Sequence, residues 1–267
     1  MSSGIRAIPE VALERATAAA PTRLEWRVAT VVSVRAETRH ARTLVLDVPR
    51  WPGHRAGQHV DVRLVAEDGY QAQRSYSIAS APESPTLELT IERLDDGEVS
   101  PYLCDVLQPG DGLELRGPIG GYFVWEVTLT GPLLLVAGGS GIVPLMSMLR
   151  HRAVAADATR ARTPVRLLYS ARTADDIIYA GELTRLGSAP DVRVEYTLTR
   201  SAPANWTGYN RRIDRALLEE VAWPASEGTR AFVCGPTPLV EQVANLLVEL
   251  GYDPLHVRTE RFGPTGS

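Results

Sequence analysis

Leu133-Leu134-Leu135-Val136-Ala137-Gly138-Gly139-Ser140-Gly141-Ile142-Val143-Pro144 decides how the chain is read. Its opening run of consecutive apolar residues has the length and composition of a strand buried on both faces of a parallel sheet. Glycines crowd the turn that follows. Pro144 is suited to the first turn of a helix, where its missing N–H costs nothing, and Leu145, Met146, Met148 and Leu149 supply that helix with an inward face. A glycine-rich strand-to-helix turn aims free N–H groups and the positive end of the helix dipole at an anion, most often a phosphate. The spacing Gly-Gly-Ser-Gly is not G-x-G-x-x-G, so the turn alone does not specify its ligand.

Downstream, apolar strands at Leu133–Ala137, Val165–Tyr169, Val192–Leu198 and Ala231–Cys234 alternate with helix-like stretches near 144–153, 175–186, 213–221 and 238–250. That alternation predicts a doubly wound α/β unit over 129–267, with ligands beyond the carboxyl ends of the strands. Those ends carry Gly138–Gly141, Ser170 with Arg172, Thr199 with Arg200, and Cys234-Gly235-Pro236. Upstream, over 23–128, short β-branched segments sit between Pro and Gly punctuation at Trp26–Val34, Thr43–Val48, His59–Leu64, Ser75–Ile78 and Leu87–Ile91. They predict an antiparallel β-barrel, with one short helix over Ser100–Leu107. Residues 1–22 read as a peripheral extension, helical over Glu10–Ala20.

At 267 residues there is length for two cores, and a net charge of −4 speaks against a nucleic-acid surface. All 28 basic residues are arginine, which removes Schiff-base chemistry and the P-loop lysine. Phosphate recognition falls to guanidinium forks, backbone and hydroxyls. Cys104 and Cys234 cannot supply the four ligands of an iron–sulfur cluster or structural zinc. No histidine pair has metal spacing, so no metal is expected. The absence of an 18-residue apolar run and of a signal-peptide core leads to the expectation of a cytoplasmic protein with no membrane span.

Two barrel segments carry chemistry. Arg74-Ser75-Tyr76-Ser77 combines a guanidinium suited to a pyrophosphate, a ring that stacks and hydroxyls that bond ring nitrogens. Gly97-Glu98-Val99-Ser100 offers either N–H groups and a hydroxyl to a phosphate or a plain helix cap. On residue grounds alone Cys234 reads as a small buried hydrophobe.

With Gly117-Pro118-Ile119-Gly120 these motifs stand in the order of the ferredoxin–NADP⁺ reductase superfamily, which the chain resembles over about residues 25–262. The resemblance implies FAD held by Arg74, Ser75, Tyr76, Ser77, Gly97, Val99 and Ser100, with Tyr76 against the isoalloxazine and Ser77 near its N5. It implies a nucleotide pyrophosphate on Gly139, Ser140 and Gly141, with Cys234, Gly235 and Pro236 beside the nicotinamide. Arg172, Thr199, Arg200, Tyr209, Arg211 and Arg212 would meet the adenosine end and favour NADPH, with NADH the alternative; Asp175 and Asp176 pull toward NADH or simply start a helix. Phe262 would cover the flavin and Glu260 stand near its ring, although plant-type members end in tyrosine and this chain does not. Tyr76, Ser77, Cys234 and Glu260 form the expected catalytic set. Without cysteines for a fused [2Fe–2S] module, electrons are expected to leave to a separate acceptor, a ferredoxin first. The alternatives are a flavin, ferric or cytochrome-b5-type reductase, or an electron-transfer subunit without NAD(P)H activity.

Overall fold

The computed structural model describes residues 24–159, 163–225 and 228–262. The extension 1–22, with its expected helix, and residues 263–267 lie outside the described residues. Six antiparallel strands come first: β1 (Trp26–Ala36), β2 (Ala41–Asp47), β3 (His59–Val65), β4 (Gln71–Ser77), β5 (Leu87–Glu92) and β6 (Gly112–Ile119). They are ordered β4-β3-β6-β1-β2-β5, and an antiparallel bridge from Ile78 to Leu89 joins the two edges into a barrel. Period-two alternation puts Leu44 and Leu46, Val60 and Val62, Leu87, Leu89 and Ile91, and Leu113 and Leu115 into one interior. The short helix expected over Ser100–Leu107 is a single wide turn over Tyr102–Val106. Strand β6 is not evident from the sequence: its inward face carries only Leu113 and Leu115 before Gly117, with Glu114, Arg116 and Pro118 on the opposite face.

Five parallel strands follow, β7 (Leu133–Gly138), β8 (Val165–Ala171), β9 (Val192–Leu198), β10 (Arg230–Pro236) and β11 (Val257–Phe262), in the order β11-β10-β7-β8-β9. Helices α1 (Ile142–Thr159), α2 (Ala180–Leu186), α3 (Arg215–Val221) and α4 (Thr237–Glu249) cover both faces. Along β7, Leu133 and Leu135 face α1, while Leu134 and Val136 face α3 and α4. Val257–Phe262, which has no strand signal in the sequence, forms β11, paired in register with β10 from Ala231↔Val257 to Pro236↔Phe262. Helix α1 begins at Ile142, two residues before the proline.

The first two turns of α1 are buried all round because the sheet lies on one side and the barrel on the other. Ala41, Ala56, Ala79, Phe123 and Trp125 of the barrel join the same apolar cluster as Ile142, Leu145 and Met148. Ser147 Oγ donates to the Ser80 carbonyl at 2.7 Å. Arg150 donates to the Ala79 carbonyl and Glu88 across the junction, both at 2.9 Å, and holds Glu182 on α2 at 3.0 and 2.6 Å. This junction fixes the carboxyl edge of the parallel sheet against the barrel.

Candidate active site at the domain junction

Beyond the carboxyl ends of β7, β8, β9 and β10 lies a cleft of about 510 Å³. Its floor is Gly138-Gly139, Ser170, Arg172, Thr199 and Pro236 from the sheet; its walls come from α4, from Phe262, and from Thr38, His40, Ala41 and Glu92 of the barrel. Strand-end placement follows from topology alone: a parallel sheet presents every βα turn on one edge.

The glycine turn is built by crowding. A Cβ on Gly141 would sit 2.1 Å from the Cys234 carbonyl oxygen, so β10 approaches the turn more closely than any side chain permits. Gly139 has φ +55°, the left-handed region that glycine enters without cost. Its vacant Cβ position has only the Glu92 carboxylate nearby, at 3.8 Å. Ser140 is half-buried beside them.

The expected adenosine-end arginines divide into two groups. Arg172 and Arg212 line the cleft with Thr199. Thr199 Oγ1 donates to the Ala171 carbonyl at 3.2 Å, and the Arg200 N–H donates to the Arg172 carbonyl at 3.0 Å, so β8 and β9 end side by side. Arg200, Tyr209 and Arg211 are not part of the cleft lining. The Tyr209 hydroxyl donates to Glu220 at 2.6 Å, and Arg211 pairs with Asp214 at 3.5 Å. Asp176 also reaches the cleft, but its carboxylate accepts the Thr173 N–H (3.2 Å) and hydroxyl (2.8 Å) in a capping box. This is the helix-start reading of the Asp175-Asp176 pair.

On the barrel, Arg74 lies within β4, half-exposed, with Nη2 on Glu98 at 3.0 Å. Ser75 donates to Asp61 at 2.6 Å, and the same carboxylate takes Arg116 at 2.9 Å. Tyr76 packs against the barrel interior, where burial pushes its phenol well above the usual range. Ser77 is half-buried at the end of β4, opposite His59. Gly97 sits in a tight turn, its Cβ position 2.9 Å from Ser100 Oγ. Ser100 Oγ accepts the Leu94 N–H at 3.0 Å, and among the described residues its own proton has no acceptor; Val99 is in the core.

Cys234 and Glu260 are register partners on β10 and β11. Cys234 is fully buried, and burial together with the Glu260 carboxylate pushes its thiol upward. Burial also raises Glu260, to about 7. Gly235 and Pro236 continue β10 into α4, and Phe262 stands at the cleft opposite Pro236. Glu92, His40 and Thr38 were missed in the sequence. They belong to barrel strands and loops with no signal of their own, and reach the cleft only through the domain junction.

A barrel joined to a doubly wound sheet, with a glycine turn and arginines at their junction, makes a two-domain frame whose cleft suits an anionic nucleotide. Residues 28–124 match the oxidoreductase FAD-binding domain model and residues 135–245 the oxidoreductase NAD-binding domain model. The chain is 37% identical over 214 residues to ferredoxin–NADP reductase B of Sorangium cellulosum, covering 78% of this chain and 84% of that protein. It is 35% identical over 240 residues to the glycine betaine monooxygenase reductase subunit of Chromohalobacter salexigens, covering 88% of this chain and 63% of the relative's length. A ferredoxin NADP⁺ reductase from Neisseria gonorrhoeae, solved with FAD and NADP, shares the fold at a TM-score of 0.76 and 23% identity, over 88% of this chain and 98% of that one. The chain belongs to the ferredoxin–NADP⁺ reductase superfamily of FAD- and NAD(P)-binding oxidoreductases.

Proposed function

We propose that this protein is an NADPH-dependent flavoprotein reductase that takes hydride from the nucleotide and delivers electrons to a separate carrier, a ferredoxin first. The observation that carries the reading is the cleft itself. One edge of the sheet gathers an anion-accepting glycine turn and two cleft-lining arginines, walled by the FAD-binding barrel.

The residues fit the groups. Arg74 is exposed enough to exchange Glu98 for a pyrophosphate, and Ser100, whose proton has no acceptor among the described residues, stands beside the Gly97 turn. Tyr76 and Ser77 end β4, shortly before Ala79 and Ser80 at the junction. Ser75 acts from behind, its hydroxyl committed to Asp61. Bound FAD would supply hydride acceptance and electron release. The chain's own task is alignment: Gly139, Ser140 and Gly141 take the nucleotide pyrophosphate, and Pro236 and Phe262 frame the nicotinamide end. Arg212 in the cleft lining and Arg200 just past β9 favour a 2′-phosphate, which supports NADPH over NADH. The raised Glu260 carboxyl is the one titratable acid beside Cys234 that can hold a proton near neutral pH.

Relatives named as reductase components of oxygenase systems support a separate acceptor. The test is a steady-state acceptor panel with purified flavoprotein. A small iron–sulfur ferredoxin should be reduced at micromolar concentration faster than free flavin or ferric complexes. Equal or slower turnover with ferredoxin would refute the partner assignment.

A further inference from the structure

The barrel places one carboxylate inside the proposed nucleotide cleft, and it stands where an anion belongs. Glu92 ends β5, and its Oε1 accepts from Arg172 Nη2 at 3.2 Å, tying the barrel to the end of β8. Its Oε2 is the nearest atom to the vacant Cβ position of Gly139. One oxygen is thus on a guanidinium and the other over the glycine turn, the two contacts that a phosphate in this cleft would make. Asp176, the other acid there, is committed to Thr173. Among the described residues, Glu92 has no such local partner.

Resting on the nucleotide reading of this cleft, we propose that Glu92 is a built-in competitor for the coenzyme's phosphate. Coenzyme entry transfers Arg172 from the carboxylate to a phosphate oxygen, and departure restores the ion pair. The barrel thereby sets coenzyme affinity below what Arg172 and the glycine turn would give alone. Proximity to Gly139 makes the contested group the pyrophosphate, which NADP⁺ and NAD⁺ share.

The test is calorimetric binding of NADP⁺ and of NAD⁺ to the flavin-loaded oxidised protein, comparing the natural chain, Glu92→Gln, Arg172→Gln and the double variant. Glutamine keeps the side-chain shape and removes the charge. Removing a competitor whose guanidinium partner is half-exposed should tighten both nucleotides about three- to fivefold. In the Arg172→Gln background the same change should have a smaller effect. Tightening of NADP⁺ alone would sustain the competition and move it to the ribose phosphate. Unchanged or weaker binding by Glu92→Gln, with flavin content and melting temperature preserved, would overturn the proposal. If the natural chain binds neither nucleotide, the cleft reading fails and this inference with it.

Discussion

Glu260 gives the sharpest handle on the site, because its protonation can be read through stability without any substrate. The carboxyl is raised from 4.5 to about 7 by burial against β10, and it makes no hydrogen bond or ion pair with another described residue. The native state therefore holds this proton more tightly than the unfolded chain does. Its favourable contribution is complete below pH 4.5 and is lost as pH rises through 7. Each tenfold change in proton affinity is worth about 1.4 kcal/mol, so ionising the native carboxyl above pH 8 costs about 3 kcal/mol. Glu260→Gln carries no such penalty. In thermal melts of the flavin-loaded protein the variant should match the natural chain at pH 5. It should exceed the natural chain by about 6–12 °C at pH 8.5, taking about 2–4 °C per kcal/mol for a chain of this size. A difference independent of pH would refute the claim that an ionisable, unpaired carboxyl is buried at this position.

Other sites make equally direct predictions. Arg150→Met leaves Glu88 and Glu182 without their principal partner at the junction and should cost about 2–3 kcal/mol, read as a lowered unfolding midpoint. A midpoint unchanged within 0.5 kcal/mol or about 1 °C would show that the network adds nothing. Gly141→Ala forces a methyl against the Cys234 carbonyl and should cost about 1–3 kcal/mol along with nucleotide binding. Gly181→Ala, where nothing lies within 4 Å, should be neutral or slightly stabilising in the same melts. Arg200→Ala should raise the KM for NADPH by about tenfold and leave NADH nearly unchanged; equal effects would separate Arg200 from the 2′-phosphate.

The sheet edge was legible because an uninterrupted apolar run ending in glycines has few other readings, and Gly138–Gly141 falls where that run predicts. β11 was not legible. Val257-Arg258-Thr259-Glu260-Arg261-Phe262 is a mostly polar edge strand, and only its register with β10 makes it a strand. The same register brings Glu260 beside Cys234, which local pattern cannot express. Tyr209 and Arg211 have residue types that suit an adenosine site; here they pair with Glu220 and Asp214 outside the cleft lining, partners that their own local pattern does not announce. The Glu92–Arg172 pair joins residues 80 positions apart across two domains, beyond the reach of any periodicity.

Anaerobic stopped-flow reduction of the flavin-loaded protein tests the central claim most directly, with NADPH and NADH titrated in parallel while flavin absorbance is followed. The account predicts rapid bleaching by NADPH, saturating at lower concentration than with NADH. Bound flavin that neither nucleotide bleaches would contradict it, leaving an electron-transfer subunit without a productive nucleotide site.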